Sequence, residues 1–196
     1  MPNWCQNTLH VTGPAEDIKS FRAKAHGHTQ SYNEFSPQMG KWPVHDDIRM
    51  KSLIGSIPDP GDIAELSFHA LYPVPEDFRR FPYDDQRAKE LGDLAGSPRP
   101  YGGYGWEGHN WGCKWGACDS SLDVEEEGYL EYGFSTPWAP PIPFLDKIAA
   151  DWPTLSFELS YDEAGMGYKG SAEWHDGELV SEDYHEYNED EDEEDE

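Results

Sequence analysis

The sequence predicts an α+β fold in which two helices pack on one face of an antiparallel sheet. Three observations predict it. Several short stretches alternate apolar and polar residues, the period of a half-buried strand. Two others, residues 15–25 and 142–152, repeat apolar residues at the helical period. Their order, with one long excursion set aside, is βαββαβ followed by an extra C-terminal strand.

Residues 7–12 place Leu9 and Val11 on one face of a strand. Gly13-Pro14 ends it, and Pro14 suits the first turn of a helix. Residues 15–25 then align Ile18, Phe21 and Ala25, with Glu16 and Asp17 at the start and Lys24 near the end, matching the helix dipole. Residues 28–115 read as an irregular insertion after that helix. It carries Pro37, Pro43, Pro58 and Pro60, and its aromatics Tyr32, Phe35 and Trp42 hold it against the domain. Within it, residues 66–78 begin as an alternating strand, and Tyr72-Pro-Val-Pro forces extended chain. Residues 84–94 suggest a short polar helix, and residues 96–105 a Gly/Pro/Tyr loop.

A hairpin follows. Residues 117–125 put Leu122 and Val124 on one face, Gly128 turns the chain, and residues 129–134 align Leu130, Tyr132 and Phe134. Pro140-Pro141 leads to the second helix, with Phe144, Leu145, Ile148 and Trp152 in a stripe. Residues 155–161 alternate again through Leu155, Phe157, Leu159 and Tyr161. The turn at Gly165-Met166-Gly167 opens a last strand, residues 168–174, closed by Asp176-Gly177. The expected domain is therefore residues 1–180. Residues 181–196 hold eleven acids and no lysine or arginine, the composition of a disordered tail.

Composition bounds the function. The 196 residues contain no run of twenty apolar side chains, which excludes a membrane-spanning helix, and no basic-then-apolar leader, so a cytoplasmic protein is expected. Three cysteines, Cys5, Cys113 and Cys118, suit neither a disulfide framework nor the four thiolates of an iron–sulfur cluster. The net charge of −26 is uneven. Residues 1–114 hold 15 acids and 12 bases, whereas residues 115–196 hold 25 acids and two bases, Lys147 and Lys169. Such a charge opposes direct contact with nucleic acid and favours a basic partner.

Four motifs carry a family resemblance. They are Met1-Pro-Asn-Trp-Cys-x-Asn-x-Leu-x-Val11, Asn110-Trp-Gly-x-Lys-Trp115, Thr136-x-Trp-x-Pro-Pro141 and Tyr161-x-Glu-x-Gly-x-x-Tyr-x-Gly170. In this order they are similar to the YubB-like family of ferredoxin-like domains, whose members are encoded by phages and plasmids. The resemblance implies a ferredoxin-like sandwich without iron, and no catalytic set. It makes Trp4, Asn110, Trp111, Trp115, Trp138, Tyr161, Glu163 and Gly165 structural motif residues. Tryptophan beside glycine and proline is expected to anchor, as at Trp111 and Trp138, with its indole N–H on a backbone acceptor.

The chemistry-bearing residues divide into three groups. His109, Cys113 and Cys118 have zinc-ligand chemistry, but their spacing lacks the paired short intervals of a structural site, so no metal is expected. Cys118 with His109 as base would be a thiol nucleophile, for which the sequence fixes no geometry. The acids Asp119, Asp123, Glu125, Glu126, Glu127, Glu131, Glu158, Asp162 and Glu173 form a candidate partner-binding face. The functional expectation is a small acidic interaction protein of a mobile element, mimicking nucleic acid toward a basic host protein, with no cofactor. The competing expectations are a metal-dependent or thiol enzyme, and a nucleic-acid-binding module by fold analogy alone.

Overall fold

A computed structural model describes residues 2–33, 59–79 and 102–187. The chain runs β1 (Trp4–Thr12), α1 (Ala15–Ala25), β2 (Gly27–His28), β3 (Ile63–Ala64), α2 (Phe68–Leu71), α3 (Gly103–Asn110), β4 (Cys118–Glu126), β5 (Tyr129–Pro137), α4 (Ile142–Asp151), β6 (Ser156–Glu163), β7 (Tyr168–His175) and β8 (Glu178–Glu186). The main sheet has the order β4-β5-β1-β6-β7-β8, and every neighbouring pair is antiparallel. With α1 and α4 between strands, β4-β5-β1-β6 is the ferredoxin-like core, and β7 and β8 extend it as a meander.

Alternation decides the two faces of the sheet. Leu9 and Val11, Leu130 and Tyr132, Phe157 and Leu159, and Ala172 and Trp174 are buried under the helices. From α1, Phe21 meets the Phe157 ring edge-on at 5.6 Å and the Trp152 ring at 5.5 Å. From α4, Asp146 accepts the Trp174 indole N–H at 2.8 Å. Both helices therefore lie on one side, where each fully buried Leu or Phe contributes about 1.5–3 kcal/mol.

The insertion is less irregular than residues 28–115 suggested. Residues 66–71 do not continue as a strand. Ser67 caps α2 by accepting the Ala70 N–H at 3.0 Å, which turns Phe68 and Leu71 together into the core. Part of the expected loop at residues 96–105 is helical instead, since α3 begins at Gly103 and buries Trp106 and Glu107. The helix expected at residues 84–94 lies outside the described residues.

Two further expectations change. In β4 a bulge between Leu122 and Val124 shifts the register, so Leu122 stands opposite Tyr132 whereas Val124 stands opposite Glu131. The two apolar residues thus end on opposite faces, since one extra residue inverts the alternation. The domain also does not end at residue 180, and two strands rather than one follow the core. Ser181–Glu186 belong to β8, paired with β7 through Tyr168↔Glu186. All nine residues of β8 are exposed. Low hydrophobicity did not prevent its ordering, because an edge strand is held by backbone hydrogen bonds to its neighbour. Residues 188–196 of the expected tail lie outside the described residues.

Candidate functional site

Among the described residues no helix covers the second face of the sheet, and its side chains fall into three rows across the strands. The middle row is Ser121, Gly133, Thr8, Ser160, Ser171 and Asp183. One flanking row is Glu131, His10, Glu158 and Glu173. The other is Ser135, Gln6, Asp162, Lys169 and His185. Short side chains between longer ones leave an open trough of about 730 Å³ running across the strands. A Cβ at Gly133 would stand 2.7 Å from Asp123 Oδ2, so a larger residue there would displace that carboxylate.

Carboxylates reach this face from five strands: Asp119, Asp123 and Glu126 from β4, Glu131 from β5, Glu158 and Asp162 from β6, Glu173 from β7, and Asp183 from β8. Lys169 is the one lysine or arginine in the six strands of the sheet. His10 sits between two carboxylates, its Nε2 3.6 Å from Glu131 and its Nδ1 3.9 Å from Glu158. Tyr129 donates to Glu131 at 2.8 Å. Partial desolvation and that acceptor hold the Tyr129 phenol above its ordinary range.

Two members of the expected acidic set stand elsewhere. After the bulge Glu125 pairs with Leu130, on the helix side, and its carboxylate lies 3.7 Å from Arg22 Nε. Glu127 lies in the β4–β5 turn. Asp183 also joins the face, although composition places it in the tail.

Among the described residues no three His, Cys, Asp or Glu side chains are placed to hold a metal ion. His109 is exposed on α3, whereas Cys113 is buried. Burial, then Glu107, Cys118 and Cys5, push the Cys113 thiol well up. Burial, then Asp119 and Glu107, raise Cys118 to about 11, against the lowering effect of Lys114. Burial, then Glu163, raises Cys5 to about 12. A protonated thiol is a poor nucleophile. The Cys118 Sγ lies 3.9 Å from the Gly116 carbonyl oxygen.

The motif residues split between core and rim. Trp111 is buried, and its indole donates to the Tyr72 carbonyl at 3.1 Å, an anchor of the expected kind. Asn110 ties the same region together, donating to Trp106 O at 2.8 Å and accepting from the Tyr72 hydroxyl at 3.0 Å. Tyr161 is buried, with its hydroxyl 3.4 Å from Asp183 O. At Gly165 a Cβ would stand 2.8 Å from the Asn3 side chain.

Trp138 is not the indole anchor expected. It is 41 % exposed, with φ 65°, and is held through its backbone N–H on Asn3 O at 2.9 Å. Trp115, with φ 67°, is similarly exposed, and Lys114 Nζ stands 3.6 Å from its ring centre and 4.3 Å from that of Trp138. Trp4, opposite Pro137, is also partly exposed at this end of the sheet. The Glu163 carboxylate is fully buried and has no hydrogen-bond partner among the described residues, whereas its carbonyl accepts from Met166 and Gly167.

Residues 111–196 match the family model described as the ferredoxin-like domain in Api92-like protein. Among solved structures the chain is similar to protein api92 from Yersinia pseudotuberculosis. The identity is 12% and the TM-score 0.52, over 96% of this chain and 99% of that one. At that identity the likeness speaks for the fold. No curated protein matches the chain. The central strand β1 and helix α1 precede the matched stretch, which holds β4 to β8. From Trp111 onward the chain thus matches the ferredoxin-like domain family of Api92-like proteins.

Proposed function

We propose that the chain is a small interaction protein of a mobile element, and that the uncovered face of its sheet docks on a basic surface of a host nucleic-acid-binding protein. The observation that carries this reading is the gathering of carboxylates from five strands on one face, in strands whose one lysine or arginine is Lys169. Strands hold these charges at fixed spacing, which favours steering and specificity over that of a floppy acidic segment. The trough between the rows is open, and Gln6, Thr8, Ser121, Asp162 and Asp183 on its walls offer polar groups that charged side chains of a partner can meet. Bound there, the chain would compete with nucleic acid for the same basic surface.

The test is capture from host lysate on the immobilised chain at low and high salt, with duplex DNA added as competitor. Partners should be lost as salt shortens the screening length, and DNA should displace them. Capture that ignores salt and DNA would reduce the acidity to a solubilising role. A second reading, acid–base chemistry, has one observation in its favour: the Tyr129, Glu131, His10 and Glu158 array on the same face. The raised thiols count against the cysteine version of an enzyme.

A further inference from the structure

The two edges of the sheet are finished differently. The β4 edge has two register irregularities, one between Cys118 and Ser121 and one between Leu122 and Val124. It is also partly covered: the Leu66 N–H bonds to Ser120 Oγ at 3.2 Å, and Glu125 reaches Arg22. Bulges and cover are how sheets close an edge against further pairing. Among the described residues the β8 edge lacks both from Ser181 to Glu186, where its register with β7 runs unbroken. Among the described residues no strand lies beyond it.

The ladder shows which backbone groups β8 offers. The Tyr187 N–H bonds to Gly167 O at 2.7 Å, so Tyr187 faces β7. In an antiparallel pair such residues alternate with ones whose N–H and C=O point away. Counting back, His185 and Asp183 face β7, and Glu182, Tyr184 and Glu186 present their backbone groups outward. The side chains of these three lie on the face opposite Asp183, with Tyr184 53 % exposed between two glutamates.

We propose that β8 accepts a basic, extended segment of a partner protein as a seventh strand, with Lys or Arg at the alternate positions that meet Glu182, Tyr184 and Glu186. Backbone bonds would supply the attachment and the alternate side chains the selectivity. Charge complementarity selects this occupant. A second copy of β8 paired antiparallel about Tyr184 would set Glu182 against Glu186, a like-charge contact that opposes pairing. The chain's own residues 188–196 hold eight acids and are repelled in the same way. The inference rests on the reading of the chain as a partner of basic proteins, and adds the shape that the partner must have.

The probe is a synthetic peptide of alternating Lys and Thr, matched in length to β8, with its N-methylated counterpart as control. The two carry the same charge, but the second has no backbone donors. The full chain should bind the first peptide roughly tenfold more tightly or better. Hydrogen exchange should slow at the Glu182, Tyr184 and Glu186 amides on binding. Tyr184→Pro should abolish that preference while leaving the β7–β8 ladder intact, since the one backbone group it removes is an outward N–H, and Tyr184→Ala, which equally loses the ring contact with Tyr168, should keep it. Glu182→Lys with Glu186→Lys should weaken binding without touching the backbone. Equal binding of the two peptides, protection elsewhere than on β8, or concentration-dependent self-association protecting Tyr184 would overturn the proposal. Equal peptide binding together with salt-sensitive, DNA-competed capture would sink this inference and leave the acidic-face reading standing.

Discussion

The ring of Phe68 lies flat on that of Phe144, with centroids 3.7 Å apart and planes 11° apart. One residue comes from the segment between β3 and α3, and the other from α4. Phe68 also meets Trp111 edge-on at 5.7 Å and Phe134 at 5.8 Å, so it joins the insertion to the sheet and to a motif tryptophan. The residues flanking it are thus part of the core.

Phe68→Ala should therefore destabilise the whole domain by about 3–5 kcal/mol, the cost of emptying an aromatic site. At about 2–4 °C per kcal/mol for a chain of this size, the midpoint should fall by roughly 10 °C. Met166→Ala, at a residue 60 % exposed, should change it little. Thermal unfolding of both variants checks this. Unfolding of Phe68→Ala at the wild-type temperature would mean that the insertion is carried passively.

How much of this was legible in the sequence depends on what holds each element. Helix α1 was readable to its ends because Pro14 and the stripe Ile18, Phe21 and Ala25 mark burial directly. Phe68 misled, because Leu66, Phe68 and Ala70 alternate, and only the Ser67 cap reveals a helical turn. Strand β8 is hidden in the sequence because its acidic composition resembles that of a segment unable to fold. The available signal was Asp176-Gly177, the dipeptide of a tight hairpin turn, and both residues have positive φ, 54° and 84°. The acidic face was legible as composition. The bulge that removes Glu125 from it and brings Val124 in was not, since nothing in the β4 sequence marks the extra residue.

The hairpin predicts different outcomes for two truncations. Removing residues 188–196 takes away eight acids and should leave the midpoint unchanged or slightly higher, because self-repulsion falls. Removing residues 181–196 also takes most of β8. It unpairs β7 from Tyr168 to Glu173 and removes the Asp183 carbonyl beside the Tyr161 hydroxyl, and should lower the midpoint clearly. Equal midpoints for the two truncations would show that β8 contributes nothing to stability.

A pH dependence follows from His69. Its Nδ1 accepts the Val74 N–H at 3.1 Å, and burial, then Arg79, lowers the imidazole from an ordinary 6.5 to about 4. Below pH 6.5 the unfolded chain takes up a proton that the folded chain refuses. Stability from this residue is thus complete above about 6.5 and is lost as pH falls toward about 4. His69→Asn can still accept the Val74 N–H but does not titrate. Across that window the wild type should lose more stability than the variant, by up to about 3 kcal/mol. Denaturant unfolding at several pH values checks it, with parallel profiles as the contrary result.

The acidic face yields a sharper test than its net charge does. Glu131, Glu158 and Glu173 lie in one row with His10 between the first two, whereas Glu125 faces α1 and Glu127 sits in a turn. Reversing Glu131, Glu158 and Glu173 to Lys changes the formal charge as much as reversing Glu125, Glu126 and Glu127. If charge alone attracts a basic partner, the two triple variants should lose affinity equally. If the face binds, the row variant should lose far more, because its three positions are adjacent on one surface and the other set is divided among both faces and the turn. The row variant should also flatten the salt dependence, since the pairs that salt screens are gone. Matched circular dichroism and unfolding curves would separate docking from stability, particularly because Glu125→Lys costs the contact with Arg22. Binding of the captured partner, measured for both variants across a salt series, decides it. Equal losses would leave long-range charge, and not the sheet face, as the source of attraction.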